Sequence, residues 1–247
     1  MWKKSGVENI KCIFNDKDSK KIESLKQNLN EKIIDFDEDK YILGFFEKDV
    51  NKVVDKILHI INKYDHNLFF LDPQNHIQLT WKTIEKIAEF SAIDSYRGKV
   101  FPRRPELLIT FMTYTMQRRY KISEEDREKI DKSLGTDIWR EKVKDYEKKN
   151  VPVYWAFLET FLDKLGEYYN KEKAIKWFPV KEVITEAPIY FIILASTHPL
   201  AQQITFKNFE SYIKREFREV DHAYQQEKAR REHGKLLIDY FDINNKK

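Results

Sequence analysis

Apolar residues in this chain follow two rhythms. IKCIF at 10–14, YILGFF at 41–46, LFFL at 68–71 and LLITFM at 107–112 are short continuous apolar runs, as expected of strands buried on both faces. Between them the spacing becomes helical. Ile22, Leu25, Leu29 and Ile33 recur behind Ser19, a suitable N-cap. Val50, Val53, Val54, Ile57, Ile60 and Ile61 recur behind Asp49, and a third helix runs from Thr80 to Phe90. Strands alternating with helices predict right-handed crossovers and an α/β fold, with a mainly parallel sheet covered by helices on both faces. The rhythm changes at Ser123. SEEDREKIDKSLG offers a Ser cap and an acidic first turn, and Trp139, Tyr154, Trp155, Phe157, Phe161 and Leu165 anchor charged helices up to about Lys176. IYFIILAS at 189–196 returns to strand. A helix near Phe206 to Phe217, the charged REVDHAYQQEKARREHGK and an apolar LLIDYF, expected to pack back onto the body, complete the chain. The expected organisation is a first part of the sheet core at 1–122, a helical insertion at 123–176, and core completion with a C-terminal helix at 177–247.

Composition narrows the classes. With 247 residues, 41% of them hydrophobic and 14% aromatic, the chain supplies a core, and six glycines leave no flexible linker to divide it. No apolar run approaches the roughly 20 residues that span a bilayer. The start, MWKKSGVENIK, has basic residues without the apolar core of a signal peptide, so a cytoplasmic protein with no membrane segment is expected. The single cysteine, Cys12, excludes an internal disulfide and multi-cysteine metal sites and is expected as a core thiol. His222 and His233 lie eleven positions apart with no matching carboxylates, so no metal role is assigned. GxSxG, HExxH and GxxxxGK[ST] are absent. Net charge is +4 from 45 basic and 41 acidic residues, so a nucleic-acid role must rest on local patches. These are Arg103-Arg104, Arg118 and Arg119 beside Tyr120, and Lys228 to Arg231. Arginine next to tyrosine suits phosphate contact and base stacking, and equally a solvated surface.

The strand ends carry the candidate chemistry. In open α/β sheets ligands collect beyond the carboxyl ends of the parallel strands. Asp16 follows the first run there, as a ribose-binding acid or as an acid answering a helix dipole. Asp49 follows the second. Asp72-Pro73-Gln74-Asn75-His76 follows the third: the proline fixes φ and stiffens the turn that holds Asp72, and His76 is near enough to take a proton or wall a pocket. His198, before Pro199, also follows a strand.

FNDKDSKKIESL, FFLDPQNHIQLTWKTIEKIA, ELLITF, LGTDIW and YFIILASTHPLAQQI, with HGKLLIDYF at the end, resemble in order the three-Cys-motif partner protein (TcmP) family. The resemblance runs from about Asn9 to the C-terminus. It implies a Rossmann-like, class I methyltransferase fold, S-adenosylmethionine as cofactor, and a radical-SAM-like three-cysteine protein as partner. It casts Asp16 and Asp49 as cofactor-side acids and Asp72, Pro73, Gln74 and His76 as the acceptor side. Gln74-Asn75 departs from the family's aromatic and glycine after Asp-Pro. Only fifteen residues precede Asp16, too few for the strand, Gly-rich turn and crossover helix that open a unit of ~30 residues in such sheets. The first strand, central between those ending at Asp16 and Asp72, is therefore expected to be missing, in a truncated or cofactor-deficient methyltransferase-like protein. Direct pairing of its two neighbours is the less costly repair, and filling by another chain is the alternative. The rival function is a non-catalytic interaction protein, binding a partner protein or nucleic acid through the insertion and the basic C-terminal helix.

Overall fold

The computed structural model describes residues 10–33, 37–181, 188–200, 202, 206, 207 and 211. Eight strands and eight α-helices are present among them: β1 Cys12–Asn15, α1 Ser19–Lys32, α2 Glu38–Tyr41, β2 Ile42–Phe46, α3 Val50–Ile60, β3 Leu68–Leu71, α4 Trp81–Glu89, β4 Ala92–Tyr96, β5 Lys99–Arg103, β6 Glu106–Phe111, α5 Thr113–Arg119, α6 Glu124–Leu134, α7 Trp139–Lys148, α8 Tyr154–Gly166, β7 Ile175–Lys181 and β8 Pro188–Ala195. The architecture is mixed α/β. β1 and β2 form a parallel pair, β3, β6, β8 and β7 a four-stranded sheet in that order, and β4 and β5 a hairpin. β3 and β6 run parallel, while β8 runs antiparallel to both β6 and β7. The expected direct pairing of the strands ending at Asp16 and Asp72 does not occur: β1 and β3 belong to different sheets. No described helix is long and apolar enough to cross a membrane.

Helix starts follow the caps in the sequence. Asp18, one position before Ser19, is the N-cap of α1 and accepts from Lys20 N–H. Asp49 caps α3 and Ser123 caps α6, each accepting a backbone N–H and so satisfying a donor that the first turn leaves orphaned. α6 also opens on Glu124, Glu125 and Asp126, which answer the helix dipole.

The core lies where the helices of 123–176 meet the four-stranded sheet, so this stretch forms part of the main packing. Phe157 and Phe161 of α8 are buried with Phe111 of β6, whose ring stacks on Phe161 at 4.4 Å between centroids. Trp81 of α4 meets Phe161 edge-on at 5.8 Å, and Trp139 of α7 lies 5.3 Å from Phe157. Of the expected anchors, Trp139, Phe157, Phe161 and Leu165 are buried, while Tyr154 and Trp155 are half-buried. Cys12 is half-buried, with its thiol pKa raised by that burial.

Tyr169, just past α8, fastens the helices to the sheet. Its side chain is fully buried and its hydroxyl donates to the Pro105 carbonyl at 2.6 Å, beside the start of β6. Tyr169→Phe leaves that carbonyl buried without this donor, and a loss of about 1–2 kcal/mol in urea unfolding is expected.

Candidate functional site

Local hydrogen bonds assemble a rim at the carboxyl ends of β1, β2 and β3. The Asn15 side chain donates to the Phe46 and Lys48 carbonyls at 3.0 and 2.7 Å, drawing the end of β2 onto β1. Asp16 follows. One of its carboxylate oxygens accepts from Asp18 N–H at 2.9 Å, and the other lies 3.4 Å from Lys21 Nζ. Asp49 spends one oxygen on Asn51, accepting its backbone N–H at 2.9 Å and its side-chain amide at 2.8 Å. Asp72 is exposed beside Pro73 and makes no hydrogen bond or ion pair with a described residue. Gln74 N–H donates to the Gln78 side chain at 2.8 Å, closing the turn. Asp16, Asp49, Asp72, Pro73 and Gln74 all line one groove of about 1420 Å³, which Val54 and Ile57 of α3 also line. The three aspartates thus border the same groove, each just past the carboxyl end of its strand.

The other candidates lie elsewhere. His76 starts a short 3-10 turn, is 3% exposed, and lines a separate cavity of about 10 Å³ with Met116 and Phe161. Its Nδ1 is 2.9 Å from the Thr115 hydroxyl, which donates its own proton to the Met112 carbonyl at 3.0 Å. Nδ1 therefore carries the imidazole hydrogen, and Nε2 is buried with no hydrogen-bond partner among the described residues. Burial first, then the Arg119 and Lys129 charges, hold its pKa at about 4 against an opposing pull from Asp126, so His76 is a neutral, weak base near neutrality.

Arg119 pairs with Asp126 at 2.9 Å, and with Ser123 it holds that carboxyl below its ordinary range. Arg118 is exposed, its guanidinium 5.6 Å over the Tyr114 ring. Arg103 pairs with Asp94 at 2.9 Å and donates to the Tyr64 carbonyl. Arg104 donates to the Ala88 carbonyl and stacks on Tyr168. Both therefore fasten local structure. His198 sits at the opposite rim because β8 is reversed: Ser196 donates to Glu106 at the start of β6, at 3.0 Å. There His66, Tyr96 and Phe101 surround the His198 ring at 5.4–5.6 Å. Lys228 to Arg231, His222, His233, LLIDYF and most of the expected C-terminal helix lie outside the described residues.

Sequence reading missed Asn51. Its amide nitrogen donates to the Gln78 carbonyl at 2.9 Å, while its oxygen accepts from Thr80 N–H, the Thr80 hydroxyl and the Thr83 hydroxyl at 3.0, 3.0 and 2.6 Å. One side chain thereby ties the start of α3 to the far end of the loop that begins at Asp72. An asparagine one position inside a helix, behind an aspartate cap, is the only local signal for it.

No family model, curated protein or solved structure matches this chain. The chemistry of the site thus rests on its own residues. The Asp72 carboxylate, without a hydrogen-bond donor among the described residues, and the Asp16 oxygen held only by an ion pair to the exposed Lys21 suit hydroxyl or amine donors of a ligand. Among the described residues no glycine lines the groove, so the close main-chain approach of a Gly-rich turn is not supplied by them. The described lining therefore offers carboxylates to hydroxyl or amine groups and no Gly-rich cradle for the rest of a nucleotide-like cofactor such as S-adenosylmethionine. Among the same residues, no group of three or more His, Cys, Asp or Glu could hold a metal ion.

Proposed function

We propose that this chain is a Rossmann-type protein of the class I methyltransferase lineage, similar to the TcmP family, that binds a nucleoside-bearing ligand along the Asp16–Asp72 rim. Strand order carries the reading. A doubly wound sheet is ordered 3-2-1-4-5, with its ligand crevice at the point where the order reverses. The parallel pairs β2-β1 and β3-β6 supply the halves 3-2 and 4-5, and the groove that β1 and β3 both line would be the place of the first strand, which supports that order. The reversed β8 between β6 and β7 is a departure that mixed sheets commonly tolerate.

S-adenosylmethionine, when bound, supplies an electrophilic methyl group. Asp16 would hold the ribose hydroxyls and Asp72, steadied by Pro73, would orient an acceptor amine, so that the protein contributes positioning more than bond chemistry. The resemblance also implies the three-cysteine partner protein. Calorimetric titration with S-adenosylhomocysteine tests the ligand. Saturable binding with a Kd below about 1 mM is expected, weakened about tenfold or more in Asp16→Ala, the loss of a charged hydrogen bond. Heat that never saturates, or an Asp16→Ala isotherm that overlays the wild type, rejects the assignment in favour of a non-catalytic scaffold.

A further inference from the structure

Two strand edges line the groove, neither of them paired on that side with a described strand. On the β1 side, Asp16 N–H donates to the Phe46 carbonyl at 3.1 Å. Successive residues of a strand turn their main-chain groups to opposite sides, so Phe14 and Asp16 address β2 while Ile13 and Asn15 address the groove they line. On the β3 side, Glu106 N–H donates to the Asn67 carbonyl at 2.8 Å. Asn67, Phe69 and Leu71 therefore address β6, and Leu68 and Phe70 turn their N–H and C=O groups into the groove. Among the described residues no strand pairs with either edge on that side. On one face of β3 the alternate residues Leu68 and Phe70 are also open, 61% and 63% exposed, so apolar surface adjoins that edge.

We propose that the groove between β1 and β3 is an acceptor site for one β-strand of a second polypeptide, an unbroken apolar run of at least four residues that pairs in parallel with both edges. The walls present alternating donors and acceptors on both sides of an apolar slot, and only an extended peptide backbone offers the complement to both at once. Both edge strands bring their carboxyl ends to the same rim, so the guest must run parallel to each. A second copy meeting this one across a twofold axis would set like edges antiparallel. A guest lying beside the apolar LFFL and lining an apolar slot needs an apolar run of its own. No stretch outside the described residues has four consecutive apolar residues, and LLIDYF is broken by Asp239 after three. The proposal needs only the unpaired edges and is independent of the methyltransferase reading.

The test uses the full chain and a fluorescein-labelled peptide with a Val-Ile-Val-Ile-Val core flanked by lysines. NMR hydrogen exchange follows the amides of Ile13, Asn15, Leu68 and Phe70. In the free chain these four should exchange as an open edge; with peptide bound they should slow at least tenfold. Phe70→Pro removes a groove-facing donor and spares the β3–β6 ladder, a place where an edge strand accepts proline. It should weaken peptide binding at least tenfold with Tm unchanged, and Leu68→Pro serves in its place should that variant unfold. Phe70→Ser keeps the amide and should lose less. Peptide binding that is absent, or equal in the proline variants, overturns the proposal. Protection already present without peptide does the same: independent of concentration it assigns the slot to this chain's own segment, and rising with concentration it assigns it to a second copy.

Discussion

Gly135→Ala should destabilise the protein by about 3 kcal/mol or more, the sum of left-handed backbone strain and forced overpacking. Gly135 ends α6 at φ 71°, and its N–H donates back to the Asp131 carbonyl. That conformation costs a residue with a Cβ ~1–2 kcal/mol. At this position the Cβ would also run into Cδ1 and Cγ of Trp81, well inside van der Waals contact. The ring cannot retreat easily, because Trp81 is 3% exposed and sits edge-on against Phe161 with Lys164 over its face. For a chain of this size, Tm should fall by roughly 6–12 °C. Gly98→Ala separates the two causes. Gly98 has φ 76° in the β4–β5 turn, and nothing lies within 4 Å of its added Cβ. It should lose only the strain, about 1 kcal/mol. Equal melting temperatures for the two variants would remove Trp81 from the explanation.

The elements legible in the sequence were those whose pattern is local. LLITFM became a strand inside the sheet, between β3 and β8, where apolar residues are needed on both faces, and LFFL became the edge strand beside it, with Leu68 and Phe70 exposed. The hairpin of β4 and β5 was not among the strands expected from the sequence. Its outer face is open, with Ile93 73% and Val100 72% exposed, so no core-facing alternation stands out. The Arg97-Gly98 pair, with φ of 51° and 76°, is a two-residue hairpin turn and was the available signal. β7 was hidden by Pro179, which an edge strand admits. Strand direction was not legible either, because nothing within IYFIILAS distinguishes a parallel from a reversed strand; this is why His198 falls at the opposite rim. At the site, Asp16, Asp49 and Asp72 were legible as acids just past strand ends. The tie made by Asn51 and the burial of His76 against Thr115 were not, since the partners concerned lie 27–39 positions away.

The burial of His76 makes a second large effect, read in the pH dependence of stability. The imidazole is held at about 4 in the folded chain against 6.5 ordinarily. Between those values the unfolded chain binds a proton that the folded chain refuses, so stability is complete above pH 6.5 and falls as the pH is lowered toward 4. The shift corresponds to about 3 kcal/mol, nearly all of it lost by pH 4. Carboxyl groups with depressed values, such as Glu124, Asp126 and Glu147, begin to cost stability only as the pH approaches and passes below the ordinary carboxyl range. The interval from 6.5 to 4.5 therefore isolates the histidine. Urea unfolding across that interval should show a rising slope in the wild type. It should be nearly flat in His76→Asn, whose side-chain amide can take over the hydrogen bond to Thr115. The imidazole resonances of His76 should titrate near pH 4. A wild-type slope that survives in His76→Asn would assign the acid sensitivity to another group, and an imidazole titrating near 6.5 would mean that Nε2 reaches solvent through the small cavity it lines.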